Sequence, residues 1–279
     1  MAVESQQALH EVNRFRHRAE LPMVAAGAVA TAVWLLTAIA LLLAHQELPG
    51  WLSGLVTSVL TLPVMLVFYV RYQFWKTAVD AVEVNEHQYP ELYAIFTELS
   101  RKIGLSKPPR LYITNGNGVL NAYSAKRTVH KTYVVVYSDL VDTFYELGDQ
   151  ETIRFVLAHE LGHIRLGHVN FRRVILASAL RIVFLSKTLS RSQEYSADRI
   201  GAAMATEGTA ARSLSLLYAG KRTYQKMDID DYIANDTRHI SRFWVAIVNF
   251  TADHPVGRRR LAAAREMDQH GWDVHGRML

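Results

Sequence analysis

The chain has 279 residues, of which 50% are hydrophobic, and its formal net charge at pH 7 is +5. It contains no cysteine, which excludes a disulfide framework and a thiolate metal site, so histidine and carboxylate groups must hold any bound metal. The basic balance alone permits nucleic acid as a partner. The sequence carries no nucleic-acid-binding motif, however, and much of its basic excess lies beside apolar segments, which favours anionic lipid.

Two long apolar segments follow a polar stretch, residues 1–20. Residues 21–44 and 51–70 contain no charged side chain, and each is long enough to cross a bilayer. The short connection between them predicts a hairpin of two transmembrane helices. A signal peptide is a competing interpretation of the first segment, but the apolar run is too long and a second one follows closely. A buried helix pair in a soluble protein is the other alternative, which two uncharged runs of this length disfavour.

Flanking charges predict the orientation of this hairpin. Arg14, Arg16 and Arg18 precede the first segment, Arg71 and Lys76 follow the second, and the connection between the segments has no Lys or Arg. Positive flanks stay on the cytoplasmic side of a membrane, so both termini are predicted to be cytoplasmic. Five aromatic residues are predicted to lie at the membrane interfaces: Trp51, Tyr69, Tyr72, Phe74 and Trp75.

The chain has a globular composition from residue 76. A helical pattern covers 78–102, within which Pro90 is expected to begin a new helix that Gly104 ends. Three strands and a short helix are predicted next, at 110–114, 119–124, 132–138 and 139–146. The sequence Asn-Gly-Asn-Gly at 115–118 predicts a turn between the first two strands.

Residues 151–168 are predicted to form the central helix, and they contain the sequence His-Glu-Leu-Gly-His. His159 and His163, four residues apart, lie on one face of a helix and can bind the same metal ion. Glu160 lies beside that face, where it can act on a water rather than bind the metal. Asp149 is the expected N-cap. A chance occurrence of this motif on an exposed helix is the alternative.

A zinc site needs a third protein ligand. A metzincin would have glycine and histidine where this chain has Leu166 and Val169, so that class is excluded. Glu194 and Asp198, four apart in a second helical stretch, are better candidates. Glu194 is predicted to bind the metal while Asp198 orients a ligand histidine, although two such carboxylates could also form a solvated helix face.

These motifs resemble the HtpX-like membrane-bound zinc endopeptidases, a family related to the CaaX prenyl proteases. The motifs are HELGH at 159–163, EYSAD at 194–198, NAYS at 121–124, and His254-Pro255 followed by Arg260. The resemblance implies an α+β fold of the zincin, gluzincin-like type with an N-terminal two-helix transmembrane hairpin, and one Zn²⁺ per chain. It also places Asn121, Ala122 and Tyr123 on an edge strand that binds substrate.

By the same resemblance, His254 and Arg260 flank the catalytic centre, where they are candidates for stabilising an oxyanion. Each of these residues has a simpler interpretation. Asn121 could be a turn residue, His254 with Pro255 a helix start, and Arg260 one of three solvated arginines with Arg258 and Arg259.

One segment departs from the family. HtpX has two further membrane spans between the central helix and the third ligand, whereas residues 174–185 here are too short for a span and include Arg181. This segment could be a buried helix, an interfacial helix or part of a substrate wall. The other histidines, such as His87, His130, His168 and His239, are predicted to be surface residues.

The sequence therefore predicts three parts: a cytoplasmic N-terminal segment (1–20), a transmembrane hairpin (21–75) and a zinc metallopeptidase domain (76–279). The predicted function is endopeptidase cleavage by a metal-activated water, with Glu160 as the base. Expected partners are protein or peptide substrates, including misfolded membrane proteins, and the lipid bilayer, but not nucleic acid. The expected location is the bacterial inner membrane, with the catalytic domain cytoplasmic. A CaaX-type processing protease and a non-proteolytic zinc-containing scaffold or sensor remain as alternatives.

Overall fold

The structure is a computed structural model, and it describes residues 12–43, 49–126, 131–170, 180, 185–234 and 241–278. The described chain is a mixed α and β protein. Its α-helices are α1 (Glu20–Leu43), α2 (Gly50–Ala78), α3 (Pro90–Lys102), α4 (Ser138–Leu147), α5 (Gln150–Arg165), α6 (Leu185–Met204), α7 (Ala210–Ala219), α8 (Ile229–Ala234), α9 (Arg242–Thr251) and α10 (Gly257–His270). Its strands are β1 (Val82–Val84), β2 (Arg110–Thr114), β3 (Ala122–Lys126) and β4 (Thr132–Tyr137).

The two predicted apolar segments form the long helices α1 and α2. Among the described residues, one helix is long and apolar enough to cross a membrane by length and composition, at Glu20–Leu41 near the N-terminus. Helix α2 runs past the predicted segment to Ala78.

The end of α2 corrects the assignment of Phe74 to the membrane interface. Phe74 is 3% exposed and packs against Tyr112, Tyr133 and Val135 on the sheet, while Tyr72 and Trp75 beside it remain exposed. The last turns of α2 therefore belong to the globular domain, because that face of the sheet needs an apolar cover.

The four strands form one sheet in the order β1, β2, β4, β3. Strand β2 pairs parallel with β4, and the two outer pairs are antiparallel. Strand β1 lies where a helix was predicted. Its sequence Val-Glu-Val favours extended backbone, and it pairs with β2 in the register Val82 to Ile113. Strand β3 begins at Ala122, three residues later than predicted, and it is an edge strand of the described sheet.

Helix α5 lies at the centre of the domain, where it contacts α3, α4, α6, α7 and the sheet. Its start is set as expected, because the Asp149 side chain accepts a hydrogen bond from the backbone N–H of Thr152 at 3.0 Å. Helices α5 and α6 approach closely. A Cβ at Gly162 would lie 3.3 Å from Ile200, and a Cβ at Gly201 would lie 2.9 Å from the Phe155 ring.

The first and last segments that the structure describes meet on α6. The rings of Phe15 and Trp272 pack at a tilt of 32° with centroids 4.3 Å apart, and His17 Nε2 lies 3.0 Å from the carbonyl oxygen of Gly276. Arg199 of α6 donates a hydrogen bond to the carbonyl of Arg16 at 2.9 Å. The residues just before α1 are thereby fixed against the helix that carries Glu194.

We predict that Phe74→Ala destabilises the globular domain by about 3–5 kcal/mol, because it removes a buried ring and leaves a cavity against the sheet. Trp75→Ala is the matched control, since its ring is 54% exposed and its loss should leave the domain nearly unchanged. The measurement is denaturant unfolding in detergent. Equal effects of the two substitutions would show that Phe74 does not attach α2 to the domain.

Candidate metal centre

Helix α5 presents two imidazoles on the same side. His159 and His163 are one turn apart, and their Nε2 atoms lie 3.1 Å from each other. His159 is buried, while His163 is partly exposed. The spacing that the sequence predicted therefore brings the two ring nitrogens to one point.

Helix α6 brings the carboxylate of Glu194 to that point. Its Oε2 lies 3.6 Å from His159 Nε2, and its Oε1 lies 3.4 Å from His163 Nε2. One ligand atom from each of the three residues lies within 4.8 Å of the other two. Two imidazole nitrogens and one carboxylate oxygen are a donor set that Zn²⁺ accepts, and they are the ligands of a hydrolytic rather than a structural site. The residues present fit the metal that the sequence predicted.

The electrostatics of this cluster also favour a cation. Burial by itself lowers the pKa of His159, but hydrogen bonds to Asp198 and Glu194 raise it to about 10. Burial would raise the pKa of Glu194, yet Arg260 and the three neighbouring histidines hold it well below its ordinary value. The carboxylates are therefore ionised, and they stabilise positive charge at the point where the two imidazoles meet.

Asp198 lies behind His159. Its Oδ1 is 2.9 Å from His159 Nδ1, so the ring can donate from Nδ1 and keep Nε2 for a metal. Arg260, from α10, binds Asp198 in a bidentate manner, with both N–H···O distances 2.7 Å, and it also lies 3.2 Å from Glu194 Oε2. Burial would raise the pKa of Asp198, but Arg260 and His159 keep it low.

Arg260 is therefore not one of three solvated arginines, since it is 5% exposed. Its guanidinium faces the two carboxylates that hold and orient the ligand cluster. The structure brings Arg260 into the site, but at the back of the metal ligands.

His254 lies at the rim of the site. Its side chain is 66% exposed, and its Nδ1 is 3.0 Å from Glu194 Oε2. The hydrogen bond that His254 donates to Glu194 raises the pKa of His254 above its ordinary value. His254 lies three residues before Gly257, the first residue of α10, rather than starting that helix.

Glu160 is 6% exposed and lines the same cleft. Its carboxylate makes no hydrogen bond or ion pair within the part of the chain that the structure describes. A carboxylate that is buried against a cleft and not engaged by a cation is available to accept a proton.

The cleft has a volume of about 360 Å³, and it runs between the ligand cluster and β3. Asn121 and Ala122 line its far side, and Leu214 and Leu217 add apolar surface. Tyr123 differs from its neighbours, because its hydroxyl lies 3.0 Å from Thr77 Oγ1 on α2, on the opposite face of the sheet. The backbone of Tyr123 can therefore face the cleft, but its hydroxyl does not.

His168 belongs to the site, although no sequence motif indicated it. The prediction that it lies on the surface is wrong, because it is 8% exposed and its Nδ1 is 2.7 Å from His163 Nδ1. Helix α5 ends at Arg165, and Gly167 adopts a positive φ of 74° that turns the chain back toward the site. Gly167, two residues after the end of the helix, was the sequence signal for this turn, because glycine allows such a reversal of the chain.

The other histidines that were predicted to lie on the surface are His87, His130 and His239. His87 is exposed, as predicted. His130 and His239 lie outside the described residues, as does almost all of the segment 174–185, so its three interpretations stay open.

Comparison with known proteins gives a family and several relatives. A profile of peptidase family M48 matches residues 86–187 and 171–268, which include every proposed metal ligand. The chain is 28% identical over 142 residues to a protein named protease HtpX homolog from Dictyoglomus thermophilum, which is 48% of this chain and 45% of that protein. No solved structure matches.

Two further relatives are similar over shorter stretches. A protease HtpX homolog from Halobacterium salinarum is 37% identical over 87 residues, 31% of this chain and 28% of that protein. The plastoglobule-localized metallopeptidase 48 of Arabidopsis thaliana is 26% identical over 117 residues, 41% of this chain and 32% of that protein. The matched region spans less than half of the length of each of these relatives.

We predict that His159→Ala, His163→Ala and Glu194→Ala each abolish stoichiometric metal binding, because each removes one of three donors. Asp198→Asn should weaken binding by about 10- to 100-fold, as expected for a group that orients a ligand. Glu207→Ala, which removes an exposed carboxylate, is the control. Metal analysis of the purified protein is the measurement, and full retention in Glu194→Ala would refute its assignment as a ligand.

Proposed function

Because the chain belongs to peptidase family M48, we propose that it is a membrane-anchored, zinc-dependent endopeptidase. The observation that carries this proposal is the convergence of His159, His163 and Glu194 beside Glu160, in a cleft bordered by an edge strand. A structural metal site is closed by four protein ligands and needs no base beside it, whereas this cluster has three donors and a neighbouring carboxylate.

His159, His163 and Glu194 would hold one Zn²⁺ per chain. When bound, the metal supplies a Lewis acid that lowers the pKa of a coordinated water and polarises the peptide carbonyl. Asp198 accepts a hydrogen bond from the Nδ1–H of His159 and so fixes that ring for binding. Arg260 holds Asp198 and Glu194 in place, and we assign it as a positioning residue.

Glu160 acts as the general base and then as the general acid. Its carboxylate takes one proton from the water as the water oxygen forms a bond to the peptide carbon. It then gives that proton to the amide nitrogen as the carbon–nitrogen bond breaks, which leaves a carboxylic acid and an amine, and the acid then passes its proton to the amine to give a carboxylate and an ammonium group. The absence of a competing ion pair at Glu160 among the described residues supports this role.

His254 is the candidate for stabilising the oxyanion. Its Nδ1 donates to Glu194, and in the protonated ring, which the raised pKa of His254 favours, Nε2–H is a second donor at the rim of the cleft. The donors of Arg260 face Asp198 and Glu194 instead, so its contribution to the oxyanion would be indirect. A donor aimed at developing negative charge contributes about 10²- to 10³-fold to turnover.

Strand β3 is the proposed substrate platform. One edge of β3 pairs with β4, and Asn121 and Ala122 line the cleft. An extended peptide could add a strand there, and backbone hydrogen bonds would accept many sequences. Broad acceptance suits unfolded or misfolded proteins, so we propose a role in the quality control of membrane proteins.

We further propose that α1 and α2 form a transmembrane hairpin that anchors a zincin-type domain of the gluzincin-like group. The apolar length of Glu20–Leu41 and the uncharged sequence 51–70 support the hairpin. The resulting division is 1–20, 21–75 and 76–279, except that the last turns of α2 pack on the domain. The basic flanks favour a cytoplasmic catalytic domain at the bacterial inner membrane.

Glu160→Gln should retain zinc and the fold while peptidase activity falls by about 10²- to 10⁴-fold, because the amide cannot accept the proton. Glu266→Gln, at an exposed position on α10, is the matched control. Casein cleavage and zinc content of the same detergent-purified samples are the measurements. Undiminished cleavage in Glu160→Gln would remove the mechanism, and cleavage of prenylated peptides in preference to casein would favour a CaaX-type protease.

The orientation has a direct test because the natural chain has no cysteine. We expect Gln46→Cys to react with a membrane-impermeant thiol reagent in intact cells, and Leu279→Cys to react only after lysis. The reverse pattern would place the catalytic domain outside the cytoplasm.

A further inference from the structure

The two ligand histidines differ in what lies behind them. His159 has its outward nitrogen 2.9 Å from the carboxylate of Asp198. His163 has its outward Nδ1 2.7 Å from a second imidazole, that of His168. The far nitrogen of His168, Nε2, lies 3.2 Å from Glu20 Oε1. Each ligand histidine is thus connected to a carboxylate, one directly and one through His168.

Glu20 is an unusual partner because it begins the apolar helix α1. It is 0% exposed, and its other oxygen accepts a hydrogen bond from Ser196 Oγ at 2.5 Å. Arg16 forms an ion pair with Glu20 one turn away. A buried carboxylate is costly unless it is paired and hydrogen-bonded, and Glu20 has both kinds of partner.

The arrangement fixes one consistent set of protons. His163 Nε2 faces the ligand cluster and must stay unprotonated to bind a metal, so the proton of the ring lies on Nδ1. That N–H can donate only to an unprotonated His168 Nδ1. The proton of His168 then lies on Nε2, from which it donates to Glu20.

We propose that His168 and Glu20 are positioning residues that fix the ring orientation and tautomer of His163, so that zinc affinity depends on the docked start of the first apolar helix. The inference rests on the proposed zinc function. It assigns a role to two residues that are not metal ligands. One of them, His168, was predicted from the sequence to be a surface residue.

The segment that carries Glu20 is held at both ligand helices. Arg16 donates to the carbonyl of Leu166, at the end of α5, at 2.6 Å. The backbone N–H of His17 donates to Ser196 Oγ, on α6, at 2.8 Å. Ser196 lies between Glu194 and Asp198 in sequence, so α6 supplies a ligand, the partner of His159 and a partner of Glu20.

The test is zinc affinity, measured by competition with a chelator on the full chain in detergent. His168→Phe keeps a buried ring but loses both hydrogen bonds, and Glu20→Leu loses the terminal acceptor. We expect each to weaken zinc binding by about 10- to 100-fold. His168→Gln and Glu20→Gln keep groups that can donate or accept, and both should recover most of the affinity.

A second readout separates positioning from general destabilisation. We call the hydrogen-bonded series from His163 through His168 to Glu20 the relay. Met267→Ala removes a buried side chain of α10 outside the relay, and it should lower the thermal midpoint while zinc affinity stays near that of the wild type. The absorption bands of the Co²⁺-substituted protein should change in His168→Phe and return in His168→Gln.

Each outcome of these measurements supports or overturns a stated part of the proposal. Wild-type affinity in His168→Phe would overturn the relay, and wild-type affinity in Glu20→Leu alone would overturn the part that includes the N-terminal segment. An equal loss in Met267→Ala would assign the effect to stability. A wild type that binds zinc but cleaves nothing would defeat the proposed function and leave the relay standing, whereas a wild type without zinc affinity would overturn both.

Discussion

The close crossing of helices α5 and α6 is the constraint on which the site depends. Glu194 reaches both imidazoles only because the two backbones approach at Gly162 and Gly201, where a side chain would meet Ile200 or Phe155. The HELGH sequence thus has two functions on one helix. Its histidines face the cleft, and its glycine admits the partner helix that completes the donor set.

Charge balance is the second condition for this site. Glu194 and Asp198 are both buried, and two carboxylates so close together would repel each other without compensation. Arg260 compensates for them from α10, with two bonds to Asp198 and one contact to Glu194. With Arg260 counted, one net negative charge remains on the pair, and it would offset half of the charge of a bound Zn²⁺. Lysine could not reproduce this arrangement, because it lacks the planar fork that binds a carboxylate with two parallel bonds.

Local spacing explains what could be predicted from the sequence. The positions of His159 and His163, the cap at Asp149 and the start of α3 at Pro90 follow from helix periodicity and end signals within a few residues. Strand β1 was not predictable in the same way, because a three-residue strand depends on its partner β2.

The remaining differences depend on contacts that are distant in sequence. In the sequence, Phe74 is an aromatic residue just after an apolar segment, which is typical of a membrane interface. It is a core residue because it packs on the sheet. His168 is buried because Glu20, which is distant in sequence, packs against it. No local sequence pattern indicates such a contact. Arg260 belongs to a run of three arginines, and the fold decides which of them faces inward.

The position of Glu20 connects the proposed membrane anchor with the chemistry. As the first residue of α1, it lies at the positive end of that helix dipole, where an acidic side chain is favourably placed. Helix α1 therefore supplies a carboxylate that contacts His168 as well as the apolar length proposed to cross the bilayer. Removing α1 to obtain a soluble domain would also remove this contact, and only Asp198 would then connect a carboxylate to a histidine of the cluster. The proposed anchor and the domain that holds the cluster are consequently better described as one folded unit than as a domain on a tether.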